Sequence, residues 1–302
     1  ATPLLAGAIS SVTGIPQSTG LTLVILVIVC AIYTFSVYFG MKGVQLSAAT
    51  CTWLFFGLLA YVFFFGGQTR FIIEEGITAL GNMTQNFIGL ATWTDSLRTS
   101  SFPQTWTIFY WAYWMVWCVA VPFFIGSISK GRTLRQVILG GYVFGLSGTF
   151  TSFIIMGNYG LGLQMHGKLD VLSSYAADGN LYHAILDILG QLPLSKAVLV
   201  LLVLCMITFY STSFDSITMV ASTYTYKKLQ SDEEPHRNVK LFWAIFLILL
   251  PLALIFSENS MSNLQTVSII AAFPVGIIML LIISSFFKDA DAYLKEQANP
   301  PE

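Results

Sequence analysis

The chain has 302 residues, 55% hydrophobic and 10% charged, with a net charge of −1 and a mean hydropathy of +0.73. Soluble domains carry about 25% charged residues, so this composition excludes an ordinary soluble enzyme, a nucleic-acid binder and a disordered chain. Near-zero net charge removes the electrostatic case for a polyanionic partner.

The expectation is an all-α integral membrane protein built as a multi-span helical bundle. Ala1–Ile15 is apolar and rich in small residues, and reads as the tail of a helix that begins earlier. Runs of about 20 apolar residues match the thickness of the hydrocarbon core. Seven such runs predict spans: Gly20–Gly40, Ser47–Gly66, Thr105–Ser127, Gln136–Met156, Ser195–Ser222, Val239–Ser257 and Ser262–Phe287. Gln85–Trp93 and Leu181–Leu192 are apolar but too short to cross, and read as interfacial or re-entrant pieces. Cys30, Cys51, Cys118 and Cys205 lie inside apolar runs without metal-ligand spacing. They read as small buried hydrophobes.

Basic residues orient the spans. Lys42, the Lys130–Arg135 loop, the Lys227–Lys240 loop and the tail with Lys288 and Lys295 place ten on one side. The other side holds four: Arg70, Arg98, Lys168 and Lys196. The first side is cytoplasmic, which puts the N-terminus of the chain outside and the C-terminus inside. Asp232, Glu233 and Glu234 within Lys227–Lys240 read as part of a solvated loop.

Four of the seven tryptophans fall within Thr105–Trp117. At helical spacing Tyr110 and Trp114 are i,i+4, Trp114 and Trp117 are i,i+3, and Tyr113 and Trp117 are i,i+4, so large π-faces form adjoining stripes. An interfacial belt suits Trp106 but not Trp114 and Trp117, which lie mid-span. Lipid-facing or packing aromatics are one reading; a cage for a quaternary ammonium is the other. A fully methylated nitrogen has no N–H to donate, and aromatic faces attract it by about 2 kcal/mol or more when desolvated. The span contains no Asp or Glu.

Further on, Thr208–Ser216 interrupts an apolar helix with five serine and threonine hydroxyls and Asp215. Such hydroxyls back-bond to their own helix, join helices, or bind an ion. Asp215 is either a functional intramembrane carboxylate or a cap or partner for a loop base near the cytoplasmic end.

Trp106-Thr107-Ile108-Phe109-Tyr110-Trp111-Ala112-Tyr113-Trp114, then Trp117, then Ile128-Ser129-Lys130-Gly131-Arg132-Thr133-Leu134-Arg135, resembles the signature of the betaine/choline/carnitine transporter family. Lys42–Ser47 and Gly14-Ile15-Pro16 resemble weaker landmarks of it. The resemblance implies twelve spans, ten of them in two inverted five-helix repeats of the sodium-symporter type, with the N-terminal spans missing here. Residues 1–104 then hold the remainder of the first repeat: the end of one span, two spans and an interfacial helix. Residues 105–287 hold the second five-helix repeat, and residues 288–302 a short cytoplasmic tail. Such a protein sits in the plasma (inner) membrane among lipid, is no enzyme, and assembles as a homotrimer.

The resemblance also implies a site. Trp114 matches the family's cage tryptophan, and Trp111, Tyr113 and Trp117 match neighbours lining the site and its cytoplasmic path. Tyr113 departs from the family's usual second Trp, keeping a π-face and adding a hydroxyl. Phe209, through its carbonyl, and Thr212 and Ser213, through their hydroxyls, match positions by which sodium-coupled members hold their ion. Sodium is then a coupling ion, and no other cofactor is expected. The implied function is secondary transport of glycine betaine, choline or carnitine, as sodium symport, or alternatively as sodium-independent exchange or proton-coupled transport. Residues 1–302 alone, with one wall of the site, are expected neither to bind nor to carry the substrate. A seven-span receptor has the same span count and orientation, but no span carries a lysine for a retinal Schiff base. The last span has Phe273-Pro274-Val275-Gly276 where a receptor has Asn-Pro-x-x-Tyr.

Overall fold

The computed structural model describes residues 2–119, 121–178, 181–227, 233–255 and 260–298. Among them, all regular structure is helical. The helices are α1 (Thr2–Thr13), α2 (Thr19–Tyr38), α3 (Met41–Phe65), α4 (Thr69–Gln85), α5 (Phe87–Thr92), α6 (Ile108–Trp117), α7 (Val121–Ile128) and α8 (Leu134–Ser152). They continue with α9 (Asn158–Met165), α10 (Val171–Asp178), α11 (Leu181–Gly190), α12 (Ser195–Tyr224), α13 (Arg237–Ile255) and α14 (Ser260–Ala298). Two π-helical turns, Pro103–Thr107 and Phe153–Gly157, lead into α6 and α9.

Five helical stretches of the described residues are long and apolar enough to cross a bilayer: Thr19–Tyr38, Lys42–Phe65, Leu134–Met165, Ser195–Tyr224 and Gln265–Glu296. The chain is a helical multi-pass membrane protein. The expected span Val239–Ser257 corresponds to α13, its last two residues lying outside the described set, as do Ala1, Lys228 and Asp232. The expected span Thr105–Ser127 is not one helix. It stops at Cys118 and restarts as α7. Pro122 explains the break: it has no N–H, and its ring clashes with the carbonyl four residues back, that of Cys118. The N–H groups of Cys118 and Val119 bond instead to Met115 (3.1 Å) and Val116 (3.3 Å), tightening the last turn. In the stretch expected to be interfacial, Gln85–Trp93, only the six-residue α5 forms, preceded by the amphipathic α4. The last helix runs to Ala298, well past Phe287.

The chain divides into two compact units. Unit 1 comprises Ala1–Phe87 and Ser129–Phe256, and unit 2 comprises Ile88–Ile128 and Ser257–Glu302. In unit 1, α12 is central and packs against α1, α2, α3, α11 and α13. Its Val198, Leu199, Leu202 and Cys205 join Leu58 and Val62 of α3 and Tyr159 of α9 in the larger core. A second core joins α1, α2 and α13, where the buried Tyr33 hydroxyl donates to the Ala244 carbonyl at 2.5 Å. Local chemistry starts the helices. Ser18 caps α2 by accepting from the Leu21 N–H at 3.1 Å, and Thr133 and Gln136 form a reciprocal capping box on α8. Between α2 and α3, Gly40 has φ +70°, and a Cβ there would lie 2.2 Å from a Glu234 carboxylate oxygen. Only glycine suits that turn.

In unit 2, α6 packs along α14, with Met115 beside Gly276. The approach to α6 is held by Asp95, which is 5% exposed. Its carboxylate accepts from the N–H and hydroxyl of Thr99, the N–H and hydroxyl of Ser100 and the N–H of Ser101, at 2.8–3.2 Å. These bonds offset left-handed backbone at Asp95, Arg98 and Ser101. The Ser100 N–H foremost, with the other donors, holds the Asp95 carboxyl below the usual carboxylate range. A depressed native pKa stabilises above the unfolded value and is lost only as pH falls through the native one. Amide protection of Thr99–Ser101 in hydrogen exchange is therefore expected to persist down to pH 3.8. Asp95→Asn keeps one acceptor oxygen and replaces the other by a donor nitrogen, so protection of Ser100 and Ser101, whose N–H groups share Oδ2, should fall already at neutral pH. Equal protection in the variant would contradict this role.

Candidate functional site: an aromatic helix and a hydroxyl-bearing helix

The aromatic segment is helical, beginning in the π-turn Pro103–Thr107 and continuing as α6. Tyr113 links three of the four expected substrate-site residues. Its ring meets Trp114 edge to face at 5.8 Å and 79°, and Trp117 at 6.0 Å and 66°. Trp111 stands apart from this trio. With Phe102, Trp106, Thr107 and Tyr110 it lines a separate groove of about 310 Å³. Within it Trp106 stacks on Tyr110 at 6.2 Å and 29°.

Ala112 is buried, while Trp111 and Trp114 are 68% and 62% exposed. The helix thus sets its small residue inward and presents its largest π-faces outward. No acid lies between Pro103 and Ile128. The nearest acid before them in sequence, Asp95, is engaged by five donors. A cation at α6 meets aromatic quadrupoles and no carboxylate from this segment.

The three expected ion ligands lie on α12, in unit 1. The Phe209 carbonyl accepts from Thr212 Oγ1 at 3.0 Å and from Ser213 Oγ at 3.1 Å. One helical turn therefore gathers a carbonyl oxygen and two hydroxyl oxygens. Thr212 is half-buried and Ser213 exposed. The Phe209 ring rests edge-on against Phe55 of α3 at 5.3 Å, which fixes the turn against its neighbour. Such an oxygen set can hold a monovalent cation when the hydroxyl hydrogens rotate away from the carbonyl.

Asp215 is fully buried and meets Ser36 of α2 instead of a loop base: Ser36 Oγ donates to Oδ2 at 2.9 Å. The Lys227–Lys240 loop is not wholly solvated. Lys240 is buried and pairs with Glu234 at 3.0 Å, while Arg237 lies 5.2 Å over the Tyr38 ring. Sequence reasoning passed over Ser36, Thr218 and the two π-turns. A signal for Thr218 did exist, since Ser211, Asp215, Thr218 and Ser222 recur at helical spacing.

The chain matches the family profile described as "BCCT, betaine/carnitine/choline family transporter" over residues 1–295. The chain belongs to the betaine/carnitine/choline transporter family. A carnitine transporter of Acinetobacter baumannii is 30% identical over 275 residues, covering 90% of this chain and 50% of that protein. The uncharacterized transporter YeaV of Escherichia coli K12 is 28% identical over 281 residues, 93% of this chain and 58% of the relative. A probable glycine betaine transporter of Desulfitobacterium hafniense is 29% identical over 287 residues, 94% and 56% respectively. The chain spans about half the length of these curated relatives. The family description and the names of these relatives are those of transporters.

Proposed function

We propose that this protein carries a quaternary ammonium compound across the membrane by secondary transport, with sodium as the coupling ion. One observation carries the reading: Tyr113, Trp114 and Trp117 set their rings edge to face on a segment without a carboxylate. A quaternary nitrogen is attracted by such faces and has no N–H to donate to a hydrogen-bond acceptor. The names of the Acinetobacter and Desulfitobacterium relatives support carnitine and glycine betaine as substrates. Choline shares the trimethylammonium group. Sodium coupling is supported by the carbonyl and two hydroxyls gathered at Phe209, Thr212 and Ser213.

In this reading the repeats adopt an inverted sodium-symporter arrangement with substrate and ion near the midplane. The distribution of basic residues supports a cytoplasmic C-terminus, and the family resemblance supports assembly as a homotrimer. The test is uptake of labelled glycine betaine and carnitine into proteoliposomes holding the full-length protein. An inward sodium gradient is expected to drive saturable uptake that an equal potassium gradient does not. Equal uptake in the two salts would contradict sodium coupling and favour an exchanger or a proton-coupled carrier.

A further inference from the structure

One face of α12 carries Ser211, Asp215, Thr218 and Ser222, all 0% exposed. Hydroxyls in membrane helices ordinarily donate to a carbonyl of the preceding turn. Ser211, Ser216, Ser222 and Thr223 of this helix do so. Thr218 does not: its Oγ1 is buried without a partner. Neighbouring Asp215 shows the same feature. Its Oδ2 accepts from Ser36, while Oδ1 is buried without a partner. Ser47, near the start of α3, adjoins the same carboxylate.

Two buried oxygens without partners, three residues apart on one helical face, define a place for a ligand that accepts oxygen lone pairs. An ionised carboxylate held from water with only the Ser36 and Ser47 hydroxyls beside it bears a desolvation cost of several kcal/mol, and intramembrane carboxylates mark ion paths. Among the described residues no base relieves that cost. The helix α2 contributes Ser36 and Tyr33, α3 contributes Ser47, and Lys240 of α13 is held by Glu234. A monovalent metal ion leaves the site neutral, whereas a divalent ion leaves a net positive charge inside the bundle. A proton on Asp215 would also neutralise the carboxylate and give Thr218 Oγ1 a donor, which is why the test below includes internal pH. Along the helix, Asp215 lies six residues beyond Phe209, about 9 Å toward the cytoplasm.

We propose that Asp215, Thr218 and Ser47 form a second sodium site, on the cytoplasmic side of Phe209, Thr212 and Ser213, which the coupling ion occupies as it leaves. This inference rests on the sodium-coupled reading above. The test loads proteoliposomes of the full-length protein with graded sodium chloride, replaced isosmotically by N-methyl-D-glucamine chloride, and follows uptake driven by external sodium. In the wild type, internal sodium is expected to inhibit. Asp215→Asn and Thr218→Val should raise the half-inhibiting internal concentration about tenfold, with half-saturating external sodium unchanged. Thr218→Ser, which keeps the oxygen, should behave as wild type. Should Asp215→Asn fail to fold, Thr218→Val carries the test alone.

A sodium-driven wild type whose internal-sodium response survives Thr218→Val would overturn the second site and leave the coupling reading intact. Insensitivity of the wild type to sodium on both faces would overturn the coupling reading, and this site with it. A response that follows internal pH at fixed sodium would replace the metal ion by a proton.

Discussion

Trp114→Ala in the full-length protein is expected to weaken binding of glycine betaine and carnitine by about 2 kcal/mol, roughly thirtyfold. The indole face of Trp114 stands clear of its own bundle at 62% exposure, with the Tyr113 ring set edge-on beside it. The figure is that of a desolvated contact, as holds for a substrate enclosed during transport. A face left open to water contributes only about 0.5–1 kcal/mol. Trp114→Phe keeps a smaller π-face and should lose less. Because the side chain is exposed in its own unit, truncation leaves little cavity there, and folding should be preserved. Isothermal titration separates the two effects, and unchanged affinity in the alanine variant would remove Trp114 from the site.

The second large effect is expected from Thr212→Ala combined with Ser213→Ala. Each contact to a charged partner is worth about 1.5 kcal/mol at the lower end, so losing two should raise half-saturating external sodium about a hundredfold. Both hydroxyls donate to the Phe209 carbonyl of their own turn, and Thr212 also meets the Cys51 thiol, which keeps Thr208 as a partner. The helix should therefore persist without them. Substrate affinity at saturating sodium should change far less than the sodium dependence. The measurement is a sodium titration of labelled betaine uptake. A loss of substrate affinity with an unaltered sodium curve would place these residues in the substrate site instead.

How much of this was legible in the sequence differs from residue to residue. Apolar length locates the long helices because the bilayer sets one dimension for all of them. The π-stripes of Thr105–Trp117 follow from helical spacing alone, which is why Tyr113 meets both Trp114 and Trp117. The break after Trp117 was present in the sequence as Pro122, but apolar length concealed it. The π-turn at Pro103 has no composition mark, since a π-turn differs from an α-turn only in its hydrogen-bond register.

Long-range partners were hidden for a different reason. Ser36 and Asp215 are 179 positions apart, and their meeting depends on how α2 packs against α12. Lys240 counts as a cytoplasmic base by position, yet it is buried against Glu234, which in turn crowds Gly40. Charge counting orients a chain without revealing which bases are solvated.

The central claim is that a methylated cation is recognised by π-faces without a carboxylate. It is tested most directly by competition among glycine betaine, dimethylglycine, sarcosine and glycine for binding to the full-length protein. These ligands share one carboxylate and differ only in methylation of nitrogen. Each N–H introduced into an aromatic cage is left without an acceptor, at about 1–3 kcal/mol, so dimethylglycine should bind roughly tenfold or more weakly than betaine. Sarcosine and glycine should be weaker still. Dimethylglycine or glycine competing as well as betaine would show that an acceptor holds the ammonium group, and would contradict the aromatic site.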